Sequence, residues 1–126
     1  MTHPVIERRR AEQGEKIALA DRYIRALKLR LPIEGAWVVG SVARGDFNVW
    51  SDIDVVVVAP GLPLQLLARA DLFYDKPPGL QIVAYTPEEF DAALEKKNPL
   101  TIETTTQGVE LAQSGERPPD KRAADS

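Results

Sequence analysis

Residues 36–58, AWVVGSVARGDFNVWSDIDVVVV, are the part of this chain that decides its fold. An apolar run from Ala36 to Val39 ends in Gly40-Ser41, and after ten more residues Asp52-Ile53-Asp54 opens a second apolar run, Val55 to Val58. β-Branched residues at this density favour strands. A strand that is apolar on both faces is normally central in its sheet and covered on both sides. The stretch therefore predicts two core strands joined by a polar connection.

Asp52 and Asp54 are the first candidate functional residues. Side chains alternate along a strand, so these two carboxylates project from the same face. Two carboxylates at this spacing can share one or two Mg²⁺ ions, and paired metal ions serve phosphoryl and nucleotidyl transfer. The alternative is an exposed strand end, where both carboxylates are solvated and Ser51 and Asp52 form a turn.

Gly40, Ser41 and Arg44 form a second candidate group at the end of the first strand. Ser41 to Arg44 can open a helical turn whose free backbone N–H groups point at an anion, and glycine lets the backbone approach a phosphate closely. Arg44 can add a charge-assisted contact to that anion or can hold Asp46 across Gly45. Ordinary loop chemistry is the alternative explanation for Gly40-Ser41.

The flanking sequence supplies further helices and strands. Apolar residues at three- and four-residue steps predict an amphipathic N-terminal helix over about 5–31, whose charged first turns extend into solvent or touch a partner. Thr86, Pro87 and Glu89 form a helix-start pattern with a capping box. The remaining predictions are a short helix over 64–72, a strand over 80–85, a helix from 87 to about 97, a helix over 99–107 and a small strand over 109–111.

Length and composition limit the classes of protein to consider. A chain of 126 residues fits one domain, predicted over 1–113, and the polar residues 114–126 predict a disordered tail. A net charge of −3 disfavours direct nucleic-acid binding. The chain has no cysteine and no run long enough to cross a membrane, so a cytoplasmic protein is expected. His3 is the only histidine and lies at the terminus, where a functional role is not expected.

Taken together, these motifs resemble those of the nucleotidyltransferase superfamily of DNA polymerase β-like folds. The order of apolar strand, Gly40-Ser41, ten residues and Asp52-Ile53-Asp54 carries the resemblance, which covers about Trp37 to Glu89. The segments 43–46 and 51–54 look like those of the minimal nucleotidyltransferases, which are often paired with a HEPN-domain protein. The resemblance implies an α/β (α+β) nucleotidyltransferase fold, in which helices pack mainly on one face of a small mixed sheet.

The resemblance also implies a role for each candidate residue. Gly40, Ser41 and Arg44 would bind the phosphates of a nucleoside triphosphate, and Asp52 and Asp54 would be the catalytic pair that holds Mg²⁺. The family places a third carboxylate on a later strand, whereas this chain presents Gln81 there. Asp75 is a substitute only if the alignment shifts by a few residues, and Glu88 and Glu89 are better explained as first-turn helix residues.

Three functions remain open from the sequence. The first is Mg²⁺-dependent transfer of a nucleoside monophosphate, AMP from ATP, to a hydroxyl of a partner protein, as in an antitoxin that silences a HEPN-type toxin. The second is a catalytically weak module that neutralises such a partner by binding it, which Gln81 favours. The third is a small-molecule nucleotidyltransferase, for which the chain has few residues left to bind an acceptor unless a homo-oligomer supplies them.

Overall fold

The computed structural model describes residues 3–113, and within them every strand predicted from the sequence is present. The elements in chain order are α1 (Pro4–Leu27), β1 (Gly35–Val39), α2 (Gly40–Arg44), β2 (Ile53–Val58), α3 (Leu66–Asp71), β3 (Leu80–Tyr85), α4 (Pro87–Glu95), α5 (Pro99–Gln107) and β4 (Val109–Glu110). The predicted tail, residues 114–126, lies outside the described residues. No helix in the described part is long and apolar enough to span a bilayer.

The strands form one mixed sheet in the order β3-β2-β1-β4. β2 pairs antiparallel with β1, so that Val39 lies beside Asp54, and it pairs parallel with β3, so that Asp54 lies beside Gln81. The antiparallel pairing brings the end of β1 and the start of β2 to the same edge of the sheet. The mixed sheet with its helices confirms the predicted α/β (α+β) fold class.

Helices cover both faces of the sheet, as the all-apolar run of β2 predicts, whereas the resemblance implied packing mainly on one face. On the first face, Ala20, Ile24 and Leu27 of α1 pack with Val55 and Val57 of β2. On the second face, Phe90 of α4 and Leu100 of α5 pack with Val56 and Val58. An all-apolar β2 requires this arrangement, because each exposed valine would forgo about 1.5–3 kcal/mol of burial.

Helix α1 ends at Leu27, four residues before the predicted boundary at 31. Residues 28–31 continue as a turn, in which Leu31 N still donates to Leu27 O at 2.9 Å. After Leu27 the bonding changes, since Leu29 N and Arg30 N donate three residues back to Ala26 O and Leu27 O, and Pro32 has no N–H with which to continue the helix. At the other end His3 is the N-cap of α1, since its Nδ1 accepts from Val5 N at 3.1 Å.

Helix α4 begins where its capping residues predict, and α5 begins after an N-cap, Asn98, that the sequence analysis did not single out. Thr86 Oγ1 accepts from Glu89 N at 3.1 Å while Glu89 Oε1 accepts from Thr86 N at 2.9 Å, which completes the capping box. Asn98 Oδ1 accepts from Leu100 N and Thr101 N at 3.0 and 3.2 Å and thereby caps α5. Helix α5 therefore packs beside β1, over the sheet face that carries Asp54.

Candidate active site

The predicted phosphate-binding turn and the predicted metal-binding aspartates meet at one end of the sheet. Helix α2 begins at Gly40, immediately after β1, and Asp54 lies in β2 beside Val39. Gly40 has φ +73°, and a Cβ added there would lie 2.8 Å from Asp54 Oδ2. Only glycine suits both this left-handed conformation and this close contact. The turn and the carboxylate are therefore packed directly against each other.

Asp54 lies in an electrostatic environment that suits a cation. Asp54 is exposed near the start of β2, whereas the four valines that follow it are buried. Partial burial raises the pKa of the Asp54 carboxyl, and the negative charges of Asp52 and Glu103 raise it further. A bound cation would relieve this repulsion, so the donor set fits an ion that prefers carboxylate oxygen, such as Mg²⁺.

Asp52 and Asp54 are the acidic side chains at the start of β2. Within residues 3–113, no group of three or more His, Cys, Asp or Glu side chains is arranged to hold a metal ion. Asp52 and Asp54 thus remain the candidate metal ligands, and further ligands would come from substrate oxygens and water, as Mg²⁺ commonly requires.

Glu103 of α5 is a site residue that sequence reasoning missed. Its Oε2 accepts from the backbone N–H of Gly40 at 2.7 Å and from Arg44 Nη1 at 3.2 Å. The Glu103 carboxylate therefore already accepts hydrogen bonds from two of the groups predicted to bind phosphate, the Gly40 N–H and Arg44. The helical start at Asn98-Pro99 could have indicated that Glu103 lies one turn after Leu100, on the face of α5 that meets the sheet.

Arg44 contacts two acidic side chains, of which the sequence suggested only Asp46. Its Nε lies 3.3 Å from Asp46 Oδ2, in addition to the contact with Glu103. Both ion pairs are partly exposed, so each contributes little to stability. Arg44 is therefore available to exchange these partners for another anion, in keeping with its predicted phosphate contact.

Gln81 lies beside Asp54, where the resemblance implied a third carboxylate. It is in register with Asp54 on the neighbouring strand. Gln81, Asp54, Gly40 and Glu103 line one cavity of about 260 Å³. A neutral amide at this position can donate and accept hydrogen bonds but cannot serve as a carboxylate base. Of the carboxylates in this cavity, Glu103 alone comes from outside β2.

The alternative third carboxylates are engaged elsewhere. Asp75 Oδ1 accepts from Tyr23 Oη and from Arg30 Nη2, both at 2.7 Å, and the bond from Tyr23 is the main cause of its lowered pKa. Glu89 forms two hydrogen bonds of 2.7 Å with Arg69. Both residues therefore link separate elements, and Glu89 also takes the first-turn capping position that the sequence had indicated for it.

The charged first turns of α1 support the candidate site. Gln13 Nε2 donates to Val42 O at 2.8 Å, which satisfies a carbonyl near the end of α2. Arg9 Nη1 donates to Phe47 O, and the Arg9 guanidinium lies 5.1 Å from the centre of the Phe47 ring. These turns therefore contact α2 and the connection between α2 and β2, whereas we had expected them to extend into solvent or touch a partner.

Comparisons with known proteins agree with this geometry. The family model described as nucleotidyltransferase domain matches residues 20–103, which is more than half of the chain. A crystal structure from Sulfolobus solfataricus, of a protein proposed to be a nucleotidyltransferase, aligns with a TM-score of 0.60 and 23% identity. The alignment covers 67% of this chain and 78% of the other, and at this identity it shows the fold alone. No curated protein matches this sequence.

Proposed function

Because this chain belongs to the nucleotidyltransferase domain family, we propose that it transfers AMP from ATP to a hydroxyl of a partner protein. Family members generally use a divalent metal ion and a nucleoside triphosphate, and we propose Mg²⁺ as the metal. The packing of Gly40 against Asp54 Oδ2 carries the proposal, since it joins a phosphate-binding turn to a carboxylate pair.

Each residue of the site has a distinct part in this reaction. Gly40 N–H, the Ser41 hydroxyl and Arg44 bind and orient the outer phosphates, after Arg44 and Gly40 release Glu103. Asp52 and Asp54 hold Mg²⁺. The metal supplies charge that stabilises the leaving pyrophosphate and lowers the pKa of the attacking hydroxyl.

The partner that we propose is a HEPN-type protein, which makes this chain an antitoxin of the minimal nucleotidyltransferase type. The motif order around Gly40-Ser41 and Asp52-Ile53-Asp54 supports this subtype. On α3 and the residues before it, Leu64, Leu66 and Leu67 are 89, 74 and 85% exposed. An exposed apolar cluster of this kind favours an interface with another protein.

Labelling of the partner tests the enzymatic proposal. The chain is mixed with a HEPN-type partner, Mg²⁺ and α-labelled ATP, and label on the partner is measured. Asp52→Asn combined with Asp54→Asn should reduce labelling by at least about 10²-fold, because both metal ligands lose their charge. Asp91→Asn, an exposed change on α4, serves as the control and should label normally. Equal labelling by the double variant and the wild type would refute the proposal.

A second function is favoured by Gln81, which lies where a third carboxylate is expected. In this alternative the chain neutralises its partner by covering a surface of it, and transfer is weak or absent. The double Asn variant distinguishes the two functions. Full neutralisation of the partner by that variant would favour binding, whereas loss of neutralisation would favour transfer.

A further inference from the structure

A groove runs along α1 on the Asp52 side of the candidate active site. It consists of two adjoining cavities of about 410 and 240 Å³, which share Glu15, Lys16 and Val49. The larger cavity extends to Asp52, Pro78 and Gly79, and the smaller one extends to Glu12 and Phe47. Because the two cavities share lining residues, they form one continuous groove that a polypeptide segment could follow from Phe47 to Asp52.

The rim of the groove carries an exposed aromatic residue on an ordered turn. Trp50 is 88% exposed and Val49 is 74% exposed. Asn48 fixes the turn, because its Oδ1 accepts from Trp50 N at 2.8 Å and its N–H donates to Ser51 Oγ at 3.0 Å. The backbone at Trp50 is thus constrained while its ring is left to solvent. A constrained exposed tryptophan is typical of the residues that anchor protein partners.

The groove and the nucleotide site lie on different sides of the aspartate pair. Asp54 lines the cavity that contains Gly40, Gln81 and Glu103, whereas Asp52 lines the groove along α1. A nucleotide bound at Gly40 and Arg44 would therefore leave the groove open. An acceptor must approach the α-phosphorus from the side opposite the leaving pyrophosphate, and an acceptor in the groove would reach the aspartate pair from the Asp52 side, away from Gly40.

The lining of the groove carries net negative charge, which favours acceptors with basic residues. Glu12, Glu15 and Asp52 contribute three carboxylates to its lining, against the single ammonium of Lys16. With Asp52 bound to a metal ion, Glu12 and Glu15 still leave an excess of negative charge. Basic residues in the bound segment would complement this charge, and acidic residues would be repelled.

We propose that the groove along α1 binds the acceptor, a hydroxyl-bearing polypeptide segment with basic flanking residues, with Trp50 as its apolar contact. This inference rests on the proposed function and names the acceptor surface for it. The acceptor oxygen forms a bond to the α-phosphorus while the bond from that phosphorus to the bridging oxygen of pyrophosphate breaks. The electron pair leaves with pyrophosphate, and the hydroxyl proton passes to water in the open groove.

Peptide binding tests the groove without requiring catalysis. The probes are two short fluorescein-labelled peptides with a central serine, one flanked by lysines and one by glutamates, and binding is measured by fluorescence anisotropy. Wild type should bind the lysine peptide at least about tenfold more tightly, because complementary charge favours it. Trp50→Ala should weaken that binding by about tenfold or more. Leu29→Ala, an equally exposed apolar residue outside the groove lining, is the matched control and should bind normally.

Charge reversal and nucleotide binding separate the outcomes. Glu12→Lys with Glu15→Lys should abolish the preference for the lysine peptide, while affinity for Mg²⁺ and a non-hydrolysable ATP analogue stays within about twofold of wild type in every variant. The absence of peptide binding, or equal binding by Trp50→Ala, overturns the proposal. Loss of nucleotide binding in Trp50→Ala also overturns it, because the groove would then hold the nucleotide base. Peptide binding without nucleotide binding in wild type supports the groove and refutes the proposed function instead.

Discussion

At the scale of single residues, the close approach of Gly40 to Asp54 Oδ2 joins two elements of the candidate site. Gly40 and Asp54 are both explained by motifs within one stretch, and the structure places them in direct contact. Glu103 could not be found in this way, because it reaches Gly40 across 63 positions of the chain. Contacts at that separation depend on how α5 packs, which local patterns do not specify.

The first prediction concerns the charge of Asp54. Its pKa is raised in the folded chain, so the ionised carboxylate costs stability, and this cost is present at neutral pH and disappears as pH falls through the folded pKa. Without metal, Asp54→Asn should therefore raise Tm by about 1–3 °C at pH 7. Thermal unfolding in chelator measures this change, with Asp91→Asn as control.

Added Mg²⁺ gives the complementary result. It should raise the Tm of the wild type but leave that of Asp54→Asn nearly unchanged, since ligands that bind the folded state stabilise it. A lower Tm for the metal-free variant would show that Asp54 stabilises the fold, contrary to this explanation.

The second prediction concerns Glu103, whose carboxylate occupies the Gly40 N–H and Arg44. Glu103→Gln should strengthen binding of Mg²⁺–ATP by about three- to tenfold, because a neutral amide competes less well for charged and backbone donors than a carboxylate does. Isothermal titration calorimetry measures the affinity, and Glu95→Gln on α4 is a control of equal charge change. Weaker binding in Glu103→Gln would indicate that Glu103 assists the nucleotide.

At the scale of secondary-structure elements, apolar runs and caps specified most boundaries. The start of α4 follows from Thr86, whose capping bonds are present in the structure, whereas the Asn98 cap of α5 was recognised only in the structure. The docking of α3 was less predictable. Arg69 of α3 is buried and donates from Nη1 to Ala84 O at 3.0 Å as well as to Glu89. Helical spacing alone gave no reason to expect a buried arginine that joins α3, β3 and α4.

The third prediction tests this arginine contact through pH. Hydrogen bonds from Arg69, followed by the bond with Thr86, lower the pKa of Glu89 from its ordinary 4.5 to about 2. A lowered carboxyl pKa stabilises the fold above the unfolded value, and this stability is lost as pH falls from 4.5 towards 2. Glu89→Gln should therefore cost about 1 kcal/mol at pH 7, after allowance for the partial exposure of Glu89.

Chemical denaturation at several pH values checks that prediction. The difference between Glu89→Gln and the wild type should shrink between pH 4.5 and pH 2. Glu88→Gln, the neighbouring exposed residue, is the matched control. A difference that stays constant across this range would mean that the capping bonds, and not the charge of Glu89, provide the stability.

At the scale of the whole molecule, the class and topology agree with the sequence because apolar runs determine which strands are central. The distribution of helices was less predictable, since burial of both sheet faces depends on α4 and α5 returning over the second face. The exposed surface includes an apolar end, which is formed by the exposed side chains of Leu64, Leu66 and Leu67.

The fourth prediction concerns this apolar end. Leu64→Gln with Leu67→Gln should change Tm by less than about 2 °C, because exposed side chains contribute little to stability. The same change should prevent a complex with a HEPN-type partner, as measured by analytical ultracentrifugation. Leu29→Gln, which is 89% exposed, is the control and should leave the complex intact. If both variants bind the partner as wild type does, the interface lies elsewhere.

The position of Gln81 has a consequence for how this protein could evolve. Asp54 lies in β2, which has a strand on each side, whereas Gln81 lies in β3 at the margin of the sheet with its side chain exposed. A substitution at position 81 therefore disturbs little packing, although it changes the chemistry beside Asp54. Selection could remove or restore a carboxylate there in one step, so that catalytic and purely binding descendants would share one scaffold.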